Sequence, residues 1–326
     1  MDMDQFVEFL DDNKVIIGSA IGIGFGLILL KKYLAGGVCR SKARLDGKTV
    51  IVTGSNTGIG KETVRDLAKR GARIIMACRD MKRTEPAAEE LRTDTGNKNI
   101  VVRKLDLASL KSVRSFAEEI LKTESRIDIL INNAGVMYCP YSKTADGFEM
   151  QFGTNHLGPF LLTNLLLDRI KDSAPARIVN VSSIGHSLAN PLDLENLNSE
   201  KGYDPYEAYH RSKLLNILFT RELSRRLKGS GVTANSLHPG FVNTDLPRHF
   251  NKFLNFVMQP FMWLSLKDSR AGAQTSIYCA VAEELVGVSG KYFSDCAVKE
   301  EVKQARDDQL AKRLWEMSEE MVAKAK

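Results

Sequence analysis

The chain has 326 residues, 43% of them hydrophobic and 26% charged, which is enough to bury a large core and is unlike the composition of a disordered protein. The formal net charge of +6 comes from 46 basic and 40 acidic residues without a basic stripe, so the sequence predicts no nucleic-acid partner. Five widely separated cysteines and five scattered histidines predict reduced thiols and no metal site.

The N-terminal region predicts a membrane anchor. Residues 1–14 form an acidic segment, and Val15–Leu30 is a run of sixteen residues without a charge. At about 1.5 Å per residue the run covers about 24 Å of a bilayer core of about 30 Å, and Lys31 and Lys32 can extend it by snorkelling. We therefore place an anchor over residues 15–34. A cleaved signal peptide is the weaker alternative, because acidic residues precede the run and no small-residue cleavage site follows it.

Basic residues flank the apolar run mainly on its C-terminal side. Only Lys14 precedes the run, and five basic residues follow it: Lys31, Lys32, Arg40, Lys42 and Arg44. The positive-inside tendency then places the large domain in the cytosol, with the endoplasmic reticulum as the expected membrane and the mitochondrial inner membrane as the alternative. Glycines at every fourth position of the run leave a homodimer open.

From residue 45 onward, short β-branched runs alternate with amphipathic stretches. That order predicts a Rossmann-type, doubly wound parallel sheet with helices on both faces, and residues 45–326 are interpreted as one domain. The predicted strands are Thr49–Val52, Arg73–Ala77, Ile100–Lys104, Ile127–Ile131, Arg177–Val181, Val232–Ser236 and Gly290–Phe293. The predicted helices include Ile59–Arg70, Leu110–Thr123 and Tyr206–Lys228.

Two stretches near the C-terminus extend this pattern. Phe250–Leu266 is rich in aromatic residues and poor in charge, which fits either an extra buried helix or an apolar lid over a substrate pocket. Val302–Val322 predicts a final amphipathic helix with Leu310, Leu314 and Met317 on one face.

A glycine-rich turn follows the first predicted strand. Thr53–Gly60 reads TGSNTGIG and opens the first predicted helix. Glycines at such a turn allow the backbone to approach a pyrophosphate, which the positive end of the helix attracts. The strand before and the helix after make this a dinucleotide site rather than a chance triplet.

The end of the second strand predicts which dinucleotide binds. A carboxylate there binds the ribose 2′ hydroxyl of NAD, whereas an arginine accommodates the 2′ phosphate of NADP. We place Arg79 at this position and predict NADP(H), although a shift of one residue would put Asp80 there instead. Asp106 and Leu107 follow the third strand, where an adenine edge is expected, and Asn132–Gly135 follows the fourth.

Tyr209 and Lys213 are four residues apart, on one face of a predicted helix. A nearby ammonium would favour the phenolate and lower the tyrosine pKa, which suits acid–base chemistry at neutral pH. The strand that ends in Ser182 and Ser183 can supply a hydroxyl to a substrate oxygen, and Asn155 can hold a water that connects the lysine to solvent.

These motifs together resemble the classical short-chain dehydrogenase/reductase family, and in particular its membrane-bound retinol dehydrogenases. The resemblance covers Leu45 to Phe293 and includes phrases such as DGFEMQFGTNHLGPFLLTNLLL. Six motifs carry it in family order: TGxxxGIG, NNAG, Asn155, Ser182-Ser183, YxxxK and His238-Pro239-Gly240.

The resemblance implies a catalytic tetrad of Asn155, Ser183, Tyr209 and Lys213, with Ser183 also binding substrate and Ser182 as the alternative serine. The implied cofactor contacts are Gly54, Asn56, Gly58, Ile59, Gly60, Arg79, Asp106, Leu107, Asn133, Ala134, Gly135, Tyr209, Lys213, Pro239, Gly240, Val242 and Thr244. Ser183 and Tyr209 are 26 residues apart, about twice the family's commonest spacing, so Gly185–Glu207 is expected to loop out over the substrate entrance.

The expected function is hydride transfer between NADP(H) and an apolar alcohol or carbonyl, with retinol and retinal as the leading pair. Two alternatives remain at this point. One is a carbonyl reductase for a steroid or a lipid aldehyde, because an apolar lid would serve any of these substrates. The other is a non-catalytic nucleotide-binding scaffold held on a membrane, which should have lost part of the tetrad.

Overall fold

The computed structural model describes residues 36–242 and 267–325, together with Asn13, Lys14, Ser19, Gly22, Phe25 and Gly26. The strands are β1 (Thr49–Thr53), β2 (Arg73–Cys78), β3 (Ile100–Lys104), β4 (Ile129–Asn132), β5 (Ala176–Val181), β6 (Val232–His238), β7 (Tyr292–Ser294) and β8 (Ala297–Lys299). They form one sheet in the order β3-β2-β1-β4-β5-β6-β7-β8. All neighbouring pairs are parallel except β7 and β8, which are antiparallel.

Helices cover both faces of the sheet, which confirms the Rossmann-like α/β fold. They are α1 (Gly58–Lys69), α2 (Met81–Thr95), α3 (Leu110–Thr123), α4 (Met150–Phe152), α5 (Gly158–Asp172), α6 (Pro205–Arg226), α7 (Ser269–Val281) and α8 (Asp308–Lys324). One core cluster lies between the sheet and α3, α5, α6 and α8, and a second lies between the sheet and α1, α2 and α7. Side chains alternate along β1, so Ile51 enters the first cluster while Val50 and Val52 enter the second.

Helix α6 carries two of the predicted site residues and is buried on most of its surface. Its start is set by Asp204, whose side chain accepts a hydrogen bond from the backbone N–H of Glu207, and by Pro205 in the first turn. Because α6 packs against α8, β6 and the turn after β5, Tyr209, Ser212 and Lys213 are buried.

The seven predicted strands are present, with ends that move by two residues at most. Two details differ. Strand β8 was not predicted, and the last helix begins at Asp308 rather than at Val302, because the chain first makes a 3-10 turn over Lys303–Arg306. The carboxylate of Asp307 then accepts hydrogen bonds from two backbone N–H groups and fixes the start of α8.

Three predictions concern residues that are not described. The stretch Phe250–Leu266 and Thr244 lie outside the described residues, as does nearly all of the predicted anchor at 15–34. Within the part of the chain that is described, no helix has the length and apolar character needed to cross a bilayer.

Candidate active site

The glycine-rich turn after β1 allows a close approach of backbone segments. Gly54 and Gly58 have φ values of +63° and +58°, a region that favours glycine. A Cβ atom on Gly54 would lie 2.8 Å from the Cα of Ala134, and one on Gly60 would lie 2.5 Å from the carbonyl oxygen of Gly54. A side chain at either position would collide with these atoms, so only glycine permits the tight turn, here named the glycine cradle.

The N-terminus of α1 begins at this cradle and has no capping side chain. Its N-cap, Thr57, makes no side-chain capping bond, and the first turn contains no acidic residue. Ile59 packs against the core, which fixes the helix on the sheet. A helix start of this kind attracts the negative charge of a phosphate. The residues thus fit the pyrophosphate of a dinucleotide.

Asn133 braces the glycine turn from the end of β4. Its side-chain amide donates to the carbonyl oxygens of Thr53, at 2.8 Å, and Gly54, at 3.1 Å. The hydroxyl of Thr53 in turn accepts from the backbone N–H groups of Asn133 and Ala134, both at 3.0 Å. The amide of Asn133 is therefore engaged with the protein, so it acts here by holding the turn in shape.

Arg79 and Asp80 follow β2 and are both exposed. They differ in what their side chains do. The carboxylate of Asp80 caps α2 by accepting a hydrogen bond of 3.2 Å from the backbone N–H of Arg83. Arg79 directly precedes that cap, at the carboxyl end of β2 where the ribose 2′ position is expected.

Asp106 and Leu107 follow β3. Asp106 shapes the loop, since its carboxylate accepts a hydrogen bond of 3.0 Å from the backbone N–H of Ala108. The side chain of Leu107 is 5% exposed and belongs to the core, and its carbonyl oxygen approaches the start of α5 at Gly158. Any contact of Leu107 with an adenine would thus come from its backbone rather than from its side chain.

The two neighbouring serines at the end of β5 point in different directions. The Ser182 hydroxyl is buried and donates to the carbonyl oxygen of Lys213 at 2.7 Å. The hydroxyl of Ser183 accepts from the backbone N–H of Gly185 at 3.0 Å. It lies beside Tyr209, since a Cβ on Gly185 would lie 3.4 Å from Ser183 Oγ and 3.5 Å from Cε1 of the Tyr209 ring, and it lowers the pKa of the Tyr209 hydroxyl. Ser183 is therefore the serine that shares a site with Tyr209.

Lys213 and Asn155 lie behind Tyr209. The Nζ atom of Lys213 donates to the Val181 carbonyl oxygen at 3.2 Å and lies 5.6 Å from the centroid of the Tyr209 ring. Asn155 sits in a π-helical turn over Gly153–Leu157, between α4 and α5. A Cβ on Gly135 would lie 3.1 Å from Asn155 Oδ1 and 3.4 Å from Lys213 Nζ, so both polar groups converge on that glycine.

Both the side-chain nitrogen and the side-chain oxygen of Asn155 form hydrogen bonds with neighbouring groups. Its amide donates to the carbonyl oxygen of Val136 and to the Ser212 hydroxyl, both at 2.9 Å, and its side-chain oxygen accepts from the Val136 N–H at 2.8 Å. This ties the loop after β4 to α6.

Burial sets the protonation of the pair on α6. It raises the pKa of Tyr209 to about 12, although the hydrogen bond with Ser183 lowers it in part. Burial also lowers the pKa of Lys213 to about 8. The expectation of a lowered tyrosine pKa is therefore wrong for this structure, because desolvation of the phenolate is the largest cause of the shift and raises the pKa.

An aromatic cluster beside Tyr209 was missed by sequence reasoning. The Tyr138 ring lies edge-on to Tyr209 with centroids 5.1 Å apart, and it lies 4.5 Å from the ring of Tyr206. Its hydroxyl lies 3.5 Å from His210 Nε2. Tyr138 has a φ of +53°, which is uncommon for a bulky residue. No sequence spacing signals this arrangement.

The long connection between Ser183 and α6 only partly loops outward, which corrects the expectation for Gly185–Glu207. Its first turn, Ile184–Leu188, lies against Tyr209 and exposes Ile184 and Leu188. Its second part folds back onto the protein, where Leu194 and Leu197 are buried in the core. The connection therefore forms one wall beside the tetrad and is not a free loop.

The loop after β6 begins at the same edge of the sheet as this wall, because β5 and β6 are parallel neighbours. Gly240 has a φ of +94°. The side chain of Val242 packs over Gly272 of α7 and faces Ile59 of α1, so the loop lies close to the glycine turn. Pro239 is half-buried between β6 and this turn.

His156 has a structural position. It is fully buried, its Nε2 lies 3.0 Å from the Ser318 hydroxyl, and burial lowers its pKa to about 3. Among the described residues, no three histidine, cysteine or acidic side chains are grouped so that they could hold a metal ion.

Comparison with known families decides the class of protein. The model of the short chain dehydrogenase family matches residues 48–255. The chain belongs to the short-chain dehydrogenase/reductase family. Proteins of this family are oxidoreductases whose fold binds NAD(P), which agrees with the cradle at the glycine turn.

The most similar curated relatives place the chain in the retinol dehydrogenase subgroup. It is 54% identical to mouse (Mus musculus) retinol dehydrogenase 13 over 315 residues, which cover 95% of this chain and 93% of that protein. It is also 54% identical to human (Homo sapiens) retinol dehydrogenase 12, with coverage of 90% and 92%. The subgroup resemblance drawn from the motifs is thus confirmed.

Solved structures share the fold. An uncharacterized protein from Mycobacterium Paratuberculosis is 37% identical, with a TM-score of 0.71 and coverage of 88% of this chain and 98% of that one. A structure described as an NAD(P)-dependent gluconate 5-dehydrogenase from Beutenbergia cavernae, which contains NADP, is 23% identical with a TM-score of 0.62 and coverage of 77% and 96%. The second likeness concerns the fold alone.

Proposed function

We propose that this protein is an NADP(H)-dependent oxidoreductase that interconverts an apolar alcohol and its carbonyl, with retinol and retinal as the substrate pair. The observation that carries the proposal is the meeting of Ser183, Tyr209, Lys213 and Asn155 beside the glycine turn. Similarity to relatives named retinol dehydrogenases, at 54% identity over almost the whole chain, supports the retinoid.

A bound nicotinamide would supply or accept the hydride, and the residues of the chain handle the proton. Tyr209 donates its proton to the carbonyl oxygen during reduction, because its side chain lies beside the Ser183 hydroxyl and it is protonated at neutral pH. Ser183 steadies the same oxygen. Lys213 and Asn155 converge on Gly135 behind the tyrosine and form the start of a proton path to solvent.

The direction of the proposed reaction follows from the proposed cofactor. The reduced form of NADP(H) predominates in the cytosol, so carbonyl reduction is favoured over alcohol oxidation. A tyrosine with a pKa near 12 keeps its proton at neutral pH and is therefore in the form that donates a proton to the carbonyl oxygen.

We assign NADP(H) rather than NAD(H) because of the two residues after β2. Asp80 is committed to capping α2, whereas Arg79 offers a cation to a 2′ phosphate. Replacing Arg79 by glutamine should raise KM for NADPH by about tenfold and leave KM for NADH nearly unchanged, since one charged hydrogen bond to phosphate is worth about 1.5 kcal/mol or more. Equal effects on both cofactors would contradict the assignment.

The proposed arrangement in the cell follows from the sequence. We propose that residues 15–34 anchor the protein in a membrane and that residues 45–326 form the catalytic domain on the cytosolic side. The endoplasmic reticulum is the proposed membrane, and the mitochondrial inner membrane is the alternative. The glycines at every fourth position of the anchor are the one ground for also proposing a homodimer.

The deciding experiment measures NADPH consumption by the full-length protein with retinal, a steroid ketone and a medium-chain aldehyde. We expect retinal to have the highest kcat/KM, and a higher value for either other carbonyl would shift the substrate assignment. Tyr209→Phe should abolish turnover and still bind NADPH, as followed by nucleotide fluorescence. Near-normal turnover by Tyr209→Phe would refute the mechanism, and binding without turnover of any carbonyl by the wild type would support the scaffold.

A further inference from the structure

An ion pair between a buried lysine and an exposed aspartate lies next to the loop after β6 and has no role in the mechanism above. Lys267 Nζ lies 2.5 Å from Asp295 Oδ1, and the side chain of Lys267 is only 8% exposed. Burying an ammonium is costly unless a counter-charge and hydrogen bonds accompany it. Asp295 supplies that charge, and the pKa of its carboxylate is lowered by Lys267 against the opposing effect of burial.

Lys267 is joined to the loop through both its backbone and its side chain. Its backbone N–H donates to the Phe241 carbonyl oxygen at 2.8 Å, and the residue forms a parallel bridge with Val242. A Cβ on Gly240 would lie 2.7 Å from both Cδ and Cε of Lys267. The stem of the lysine therefore lies directly on the loop, in space that exists because residue 240 is glycine.

Asp295 extends the same unit to the N-terminal part of the chain. A Cβ on Gly36 would collide with the Asp295 carboxylate, and one on Gly37 would collide with its backbone. The backbone N–H of Gly37 is also close enough to help lower the pKa of that carboxylate. Gly36 and Gly37, which follow the predicted anchor, thus pack against Asp295, the ion-pair partner of Lys267.

The turn that presents Asp295 has an uncommon backbone. Asp295 and its neighbour Cys296 both have φ values in the left-handed region, +54° and +56°, between β7 and β8. Two consecutive central residues with positive φ are usually filled with glycine or asparagine. Strained positions of this kind persist where surrounding contacts fix them, and here those contacts are Lys267 and Gly37.

We propose that Lys267 and Asp295 are positioning residues that hold the Pro239–Val242 loop against the nicotinamide end of the cofactor, and that Gly36–Gly37 belongs to the same unit. This inference rests on the proposed function, because it is the family resemblance that implies cofactor contacts at Pro239, Gly240 and Val242 and places the backbone of Val242 at the carboxamide end of the nicotinamide. When the pair is broken, the loop loses its support while Ser183, Tyr209 and Lys213 keep theirs. The free energy of NADPH binding should then be reduced by more than the free energy of unfolding.

The test uses full-length protein carrying Lys267→Met, Asp295→Asn or both. We expect each single variant to raise KM for NADPH about tenfold, and the double variant to be no worse than either, because both changes break one interaction. Lys267→Arg, which keeps the charge, should restore KM to within about threefold of the wild type. Gly37→Ala should raise KM in the same way, since its new Cβ would displace Asp295.

Glu300→Gln is the matched control, since it breaks the exposed Arg306–Glu300 ion pair just after β8 and should leave KM unchanged. A lower Tm or active fraction with an unchanged KM for NADPH in all the folded variants would overturn the positioning role. Should Lys267→Met not fold, Asp295→Asn, which keeps the side-chain size, gives the same comparison. Failure of the wild type to oxidise NADPH with any carbonyl would instead count against the proposed function.

Discussion

Replacing Lys213 by methionine is expected to stabilise the cofactor-free protein while it abolishes catalysis. Burial lowers the pKa of Lys213 from its ordinary 10.5 to about 8, which corresponds to about 3 kcal/mol for holding the protonated lysine inside the protein. Methionine fills similar space without a charge. The Val181 carbonyl oxygen that Lys213 bonds still accepts from Asn216 at 3.3 Å, so no buried acceptor is left unpaired.

The pH dependence gives this prediction its sign. The folded protein binds the Lys213 proton more weakly than the unfolded chain does, so folding is penalised wherever the unfolded lysine is protonated. The penalty is complete below about pH 8, shrinks between about pH 8 and 10.5, and is absent above that range. The gain in stability from Lys213→Met should follow the same course.

Urea unfolding of the full-length protein in detergent measures the effect. The free energy of unfolding is compared for wild type and Lys213→Met at about pH 6.5, 8 and 10.5. The control is Lys122→Met on the exposed face of α3, which should change stability by less than about 0.5 kcal/mol at each pH. A Lys213→Met protein less stable than the wild type at the lowest pH, or a gain that does not fade as pH rises, would refute the reasoning.

Three further predictions follow from the same geometry. Ser183→Ala should lower kcat for retinal about 100-fold through loss of a hydroxyl at the reacting oxygen, whereas Ser182→Ala should mainly lower the Tm; the reverse pattern would exchange the two serines. Tyr138→Ala should raise KM for retinal about tenfold and spare KM for NADPH, because one aromatic wall is lost; steady-state kinetics with both substrates checks this. Glu124→Gln should destabilise the protein by about 2 kcal/mol in urea without changing either KM, since it weakens the two 2.7 Å bonds from Arg73 to a nearly buried carboxylate.

The sheet was predictable from sequence because its strands are nearly fully buried. β1 and β2 read as continuous β-branched and aliphatic runs bounded by turn residues, the pattern of parallel strands covered on both faces. β8 carried no such signal. It has three residues, all exposed, at the edge of the sheet, and it is held by pairing with β7 rather than by its own side chains.

Sequence spacing alone could not decide whether Ser182 or Ser183 faces the site. Successive side chains at the end of a strand point to opposite faces, so Ser182 and Ser183 cannot face the same neighbour. Which of them faces the site depends on the register of β5 against β6 and on the position of α6, and both are tertiary facts. The same limit applied to Arg79 and Asp80, where the capping bond to α2 separates the two roles.

Protonation could not be predicted from sequence at all. The four-residue spacing of Tyr209 and Lys213 places them on one helix face, but it does not say how deeply that face is buried. Because α6 is enclosed on most sides, desolvation shifts both groups toward their neutral forms. The sign of the tyrosine shift therefore depends on the packing of the whole helix and not on the neighbouring charge that the spacing suggested.

The candidate site follows from topology as much as from any single motif. β1, β4, β5 and β6 are neighbours in the sheet and parallel, so the turns that follow them all emerge at one edge. That edge brings the glycine turn, Asn133, Ser183 and the Pro239–Val242 loop together although they are far apart in sequence. Helix α6 then crosses the same edge with Tyr209. A change that shifts α6 along the sheet would therefore separate the hydroxyl pair while leaving the glycine cradle intact.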